Sequence, residues 1–198
     1  SLTVENKLKN KGIIILNVEN IGYDFYAWKT AITLPDLHIE KFDRLVLLNS
    51  SAHGPFFSVK NFLNTIEQKD ADIIGAIISL EKVRHIQSYF FYFKKSAITS
   101  DAFRAYWLNL VPLRGWEDNI KNHEMKITSY FTEHHLKVDA YFIGIDDLNP
   151  SFFYPNLLYR AKLPFIKIAK IPKKKNLVLF LKLAFRYVLM WFNLKIIR

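Results

Sequence analysis

Glu124 stands on a helical stretch that follows the polar turn Arg114-Gly115-Trp116-Glu117-Asp118. A carboxylate so placed can take the proton from an attacking hydroxyl, and Glu117 and Asp118 are the other nearby candidates. The same residue also reads as plain solvated helix surface. Glu19-Asn20-Ile21-Gly22-Tyr23-Asp24-Phe25 opens a helix directly after an apolar run. Gly22 there lets a backbone approach a ligand, and a helix N-terminus favours anions. A capped turn with Asp24 serving the helix dipole is the plainer reading. Asn49-Ser50-Ser51-Ala52-His53-Gly54-Pro55-Phe56 breaks off a strand-like run. Ligands of open α/β sheets bind beyond the carboxyl ends of strands, although such residues also satisfy their own turn. In His85-Ile86-Gln87-Ser88-Tyr89-Phe90, read as a strand, His85, Gln87 and Tyr89 share one face and Ile86, Ser88 and Phe90 the other. That pattern suits a lined pocket, or a histidine held for structural reasons.

The elements that must position these residues alternate between the two periodicities. Residues 12–18 contain the run Ile13-Ile14-Ile15-Leu16 and read as a buried strand, as do residues 44–48. Residues 23–33 read as a helix with Phe25, Trp28 and Ile32 on one face. Residues 58–68 read as a second, capped by Ser58, with Val59, Phe62, Leu63 and Ile66 at helical spacing. Strands follow at 72–79, 86–93 and 137–143. Helices are expected from Thr99 or Ser100 to Leu110, stopped by Pro112, and over 119–134. The order predicts an α/β domain whose mostly parallel or mixed sheet is covered on both faces.

Composition narrows the possibilities. A chain of 198 residues, 51% hydrophobic and 23% charged, is one globular body by length. The 16% aromatic share points to an aromatic core, with sugar-stacking surfaces as the alternative. There is no cysteine, which excludes a thiolate nucleophile, a disulfide framework and any cysteine-ligated metal, and fits a reducing compartment. The chain opens on Ser1 with no signal peptide ahead of the first apolar run, and reads as a fragment or a trimmed product. Net charge is +10, but eleven of the 28 basic residues and none of the 18 acidic ones fall within 156–198. The body is therefore close to neutral, which removes the main support for nucleic-acid binding. We divide the chain into a body, 1–155, and a basic, aromatic-rich helical tail, 156–198. Residues 176–196 read as a helix with internal charges, suited to an anionic membrane surface or to another domain.

Taken in order, Asn20 through Lys29, Leu48-Asn49-Ser50-Ser51 with Gly54-Pro55-Phe56, His85 through Phe90, and Glu124 through Tyr130 resemble the rhamnan synthesis F family. Asn149-Pro150 and Pro164-Phe165-Ile166-Lys167 resemble its closing segment, so the likeness spans about residues 12–170. The family is similar to GT-A glycosyltransferases, which bind a nucleoside-diphosphate sugar across a Rossmann-like sheet. The resemblance implies that Asn20, Gly22, Asp24, Asn49, Ser50 and Ser51 line the nucleotide-sugar and that Glu124 is the base. His53, His85, Gln87 and Ser88 are expected in the pocket for the sugar or acceptor. Many relatives carry Asn-Asp-Ser where this chain has Asn49-Ser50-Ser51. With the acidic ligand missing, weak dependence on a divalent metal, or none, is expected, and no other cofactor. The first strand–helix units of a GT-A domain are expected to precede residue 12.

The implied activity is transfer of a sugar, rhamnose from a dTDP donor, to a glycan or lipid-linked glycan of the cell surface. The expected location is cytoplasmic, peripheral at the inner face of a bacterial membrane. The alternative is a non-catalytic, degenerate domain that binds glycan or a partner synthase.

Overall fold

The structure, a computed structural model, describes residues 13–167. The sheet is built around β3 (Ile73–Ser79), all seven of whose residues are buried. Ile73, Ile74, Ala76, Ile77 and Ile78, all β-branched or small and apolar, suit a strand covered on both faces. Gly75 is required there, since a Cβ would come within 2.4 Å of the Ile86 side chain. On one edge β3 pairs in parallel with β6 (Val138–Ile143) from Ile73↔Val138 to Ile78↔Ile143. On its other edge it pairs antiparallel with two short strands lying end to end, β4 (His85–Ile86) and β5 (Phe90–Lys94). β1 (Arg44–Leu48) closes the far side of β5, with Leu48 opposite Phe90. The sheet is mixed, as predicted, and consistent with a Rossmann-like arrangement.

Helices cover both faces. On one side lie α1 (Tyr23–Ile32), α4 (Asp101–Asn109) and α6 (Met125–Glu133), with the short α3 (Lys95–Ile98) leading into α4. Their core joins Phe25, Phe91, Phe93, Phe103, Trp107 and Phe131. The opposite face holds α2 (Val59–Glu67), which places Phe62 and Ile66 against Ile74, Phe90 and Tyr92. Alternation along β5 sends Phe91 and Phe93 to one layer and Phe90 and Tyr92 to the other. Each such fully buried side chain is worth about 1.5–3 kcal/mol of transfer free energy. Among the described residues, most aromatic side chains are buried in these two layers or packed against them. Caps fall where the sequence places them: Ser58 accepts from the Asn61 amide at 3.2 Å and Ser100 from Phe103 at 3.1 Å.

Several expectations need correction. The run at 12–18 is not a buried strand: Ile14 is 70% exposed, and no strand is assigned over 13–18. Four apolar residues make a strand only where a neighbour pairs with them. β1 is not a buried strand either: it is an edge strand in which only Leu47 is buried and Leu45 partly so. The single strand expected over 86–93 is two, since Gln87–Tyr89 interrupt it. There, four residues from Gln87 to Phe90 stand opposite two, Ala76 and Ile77, on β3. The helix expected over 119–134 starts earlier, at α5 (Trp116–Asn119), and passes through a π-helical turn at Ile120–Glu124 before α6.

Beyond residue 149 the described chain stays in the body. α7 (Pro150–Phe153) and α8 (Pro155–Arg160) lead to β7 (Ile166–Lys167), which pairs with β2 (Ala52–His53). Leu158, Leu163 and Ile166 are fully buried. The helix expected over 176–196 and the rest of the tail beyond 167 lie outside the described residues.

Candidate functional site

Three local irregularities meet at one end of the sheet. The first is the bulge between β4 and β5, which turns Ser88 out of the strand alternation. Bulges re-aim side chains in this way and recur beside functional sites. The second is the π-helical turn, another feature frequent at such sites, which ends on Glu124. His123 anchors that turn through its Nε2 and the Val111 carbonyl at 3.0 Å. Thr128 ties α6 to β4 by accepting from the Ile86 amide at 2.9 Å. The third is the start of α1, where Tyr23 has φ of 53°. A bulky residue held in the left-handed region costs on the order of 1–3 kcal/mol, and that strain sits one residue before Asp24.

Glu124 is the centre of the arrangement. Its side chain is only 14% exposed, Ser88 donates its hydroxyl to Oε2, and His85 Nε2 stands 3.7 Å from Oε1. His85 is oriented from behind by the Val83 carbonyl, 2.8 Å from Nδ1. A ring protonated on both nitrogens would meet an acceptor on each side. Burial opposes its charge, but Glu124 and the Val83 carbonyl outweigh burial and hold His85 above its ordinary value. Burial would likewise raise Glu124, yet His85 and Ser88, with the charge of Lys167, hold it below the usual carboxylate range. The carboxylate is thus kept ionised, with two of its acceptor positions used and the others free.

Asp24 stands beside it. Asn49 donates from Nδ2 to Asp24 at 2.9 Å, while its Oδ1 accepts from both the amide and hydroxyl of Ser51, at 3.0 and 2.6 Å. Asn49 is itself held opposite the bulge, since its amide donates to the Tyr89 carbonyl at 3.3 Å. Asp24 has solvent-exposed surface, yet its carboxylate is crowded by protein. That partial burial, with the nearby Glu124 charge, raises it above its ordinary value against the pull of Asn49 and Lys167.

The structure thus brings Asp24, Asn49, Ser51, His85, Ser88 and Glu124 to one place. It uses others differently. Gln87 belongs to a separate network, donating to Asn149 at 2.7 Å and accepting from Ser151, with Asn149 donating to Glu81 at 3.0 Å. Gly22 is buried, and a Cβ there would come within 3.1 Å of Pro112, so protein occupies the space it leaves. Asn20 and Ser50 are exposed, as is His53 on β2. Lys167 was not among the expected site residues, and only the Pro164–Lys167 segment hinted at it. Its place depends on a return strand made by Gly54, whose φ is 146° and whose Cβ, if present, would be 2.3 Å from the Pro164 carbonyl. Among the described residues, no group of three or more His, Asp or Glu stands where it could hold a metal ion. Nor is any described helix long and apolar enough to cross a membrane.

Residues 3–188 match the family described as rhamnan synthesis protein F. The chain is similar to uncharacterized protein y4gN of Sinorhizobium fredii (strain NBRC 101917 / NGR234), with 26% identity over 130 residues. That stretch is 64% of this chain and 34% of that protein. Virulence protein VirA of Vibrio anguillarum (strain ATCC 68554 / 775) is 26% identical over 183 residues, 88% of this chain and 59% of its own length. The chain therefore spans less than two thirds of the length of these curated relatives. No solved structure matches it.

Proposed function

Because the chain belongs to the rhamnan synthesis protein F family, whose role is in polysaccharide synthesis, we propose that it is a GT-A-like glycosyltransferase domain with Glu124 as general base. The observation that carries this reading is the nearly buried Glu124 carboxylate, held by Ser88 and His85 at an end of the sheet where Asp24 and Asn49 converge. In the proposed reaction an acceptor hydroxyl attacks the anomeric carbon of a nucleoside-diphosphate sugar. The bond from that carbon to the diphosphate oxygen breaks as the new one forms, and the hydroxyl proton passes to Glu124. The hydroxyl becomes acidic only as it attacks, so the carboxylate needs to be ionised and well placed rather than strongly basic. Asp24 and the Asn49-Ser50-Ser51 turn flank the donor, and His85 orients Glu124 without touching the sugar.

Rhamnose from a dTDP donor is the substrate that family membership favours, and a cell-surface glycan the acceptor. The basic composition of 156–198 supports work at the inner membrane face. The rival is a domain that binds glycan or a synthase without turnover, favoured by Ser50 standing where the family resemblance implies a carboxylate. Incubating the full-length protein with dTDP-rhamnose and an acceptor glycan separates the two. Release of dTDP with sugar incorporation supports transfer, and glycan binding without either supports the rival.

A further inference from the structure

Lys167 is half-buried on β7, directly opposite Ala52, and so one residue away from the Asn49-Ser50-Ser51 turn. The strand that carries it is fastened at several points. The Phe56 amide donates to the Pro164 carbonyl at 2.8 Å, the Tyr89 hydroxyl reaches the Phe165 carbonyl at 3.4 Å, and Ile166 is fully buried. Lys167 takes part in none of the ion pairs among the described residues. Its charge nevertheless reaches both Asp24 and Glu124. A cation is thus carried on a seated strand near two carboxylates, without an ion pair to either.

Such a site presents an electrostatic problem to a diphosphate, which Asp24 and Glu124 would repel. The leaving diphosphate also gains charge as the sugar departs, and the Asn49-Ser50-Ser51 turn offers no carboxylate through which a divalent ion could be held. We propose that Lys167 is the group that binds the donor's diphosphate and balances its charge as it leaves. This rests on the transferase reading and adds to it the residue that recognises the leaving group. It also gives the β2–β7 ribbon, and Gly54 behind it, a purpose: they bring a residue from the far end of the domain to the turn after β1.

The experiment is calorimetric titration of the full-length protein with dTDP, UDP and GDP, and with thymidine as a probe lacking phosphate. Each is run on wild type, Lys167→Ala, Lys167→Arg and Glu124→Gln, with circular dichroism to confirm folding. Loss of a charge-assisted phosphate contact weakens nucleoside-diphosphate binding about 10- to 100-fold. We expect that loss in Lys167→Ala, substantial recovery in Lys167→Arg, and no change in thymidine binding. Glu124→Gln binds the diphosphates at least as well as wild type, because a like charge is removed. Diphosphate binding equal in wild type and Lys167→Ala overturns the inference while leaving the transferase reading intact. Equal weakening of thymidine overturns it too, since the lysine is then structural. Failure of wild type to bind any of the three diphosphates removes both the inference and the donor reading beneath it.

Discussion

Glu124 and His85 face each other at 3.7 Å, with the imidazole 2% and the carboxylate 14% exposed. Each favours the charged form of the other, so the pair links folding to pH in two directions. His85 is raised above 6.5, so its contribution is complete below that value and is lost as pH rises through the raised one. Glu124 is held below 4.5, so its contribution is present above that value and is lost as pH falls through the lowered one. Both are in place between about pH 4.5 and 6.5. The stability difference between wild type and His85→Gln, read from urea unfolding, should be largest in that window and shrink above it. A difference independent of pH would show that the two groups do not interact.

Replacing Glu124 by Gln keeps the shape and removes the base. Turnover by the full-length protein should fall about 10²–10⁴-fold while the fold persists. Glu117→Gln, on α5 and outside the cluster, should leave turnover near wild type. The reverse result would transfer the role of base to Glu117.

Gly54→Ala tests the return strand. A Cβ 2.3 Å from the Pro164 carbonyl forces backbone to move, at a φ where L side chains are themselves strained. Destabilisation of at least about 1–3 kcal/mol is expected in denaturant unfolding. An unchanged midpoint would mean that β7 is not seated on Gly54.

Transfer should survive EDTA, because the turn after β1 presents Asn49, Ser50 and Ser51 and no carboxylate. Complete loss on chelation, restored by manganese or magnesium, would sink that expectation and place a metal beside Asp24 or Glu124.

Membrane attraction by the basic tail is best tested by truncation after Lys167, because a cut near residue 155 would strip Leu158, Leu163 and Ile166 from the core. Eight of the eleven basic residues of 156–198 lie beyond that cut. Near an anionic surface each is worth on the order of 1 kcal/mol. The intact chain should co-sediment with anionic vesicles and the truncated chain should not. Equal sedimentation of the two would assign the tail to a partner domain instead.

Local chemistry determined much of this protein from sequence alone. The helix periodicity of Phe62 and Ile66, the caps Ser58 and Ser100, and the apolar continuity of Ile73–Ser79 depend on neighbours a few residues away, and each appears in the structure. The short motifs around Asp24, Asn49, His85 and Glu124 were legible as candidates for the same reason. Their assembly was not. Whether Ile13–Leu16 and Arg44–Leu48 are buried depends on which strands lie beside them, and an apolar run looks the same at an edge, in the open or in a centre. The bulge at Gln87–Phe90 arises from the register of two strands against β3, which no single stretch encodes, and it divides Ser88 from Gln87 in role. The π-helical turn adds a residue to a helix without changing its composition, yet it directs Glu124 toward Ser88 and His85. Lys167 joins the site only because Gly54 leaves room for the Pro164 carbonyl, a contact across 110 residues that only close packing decides.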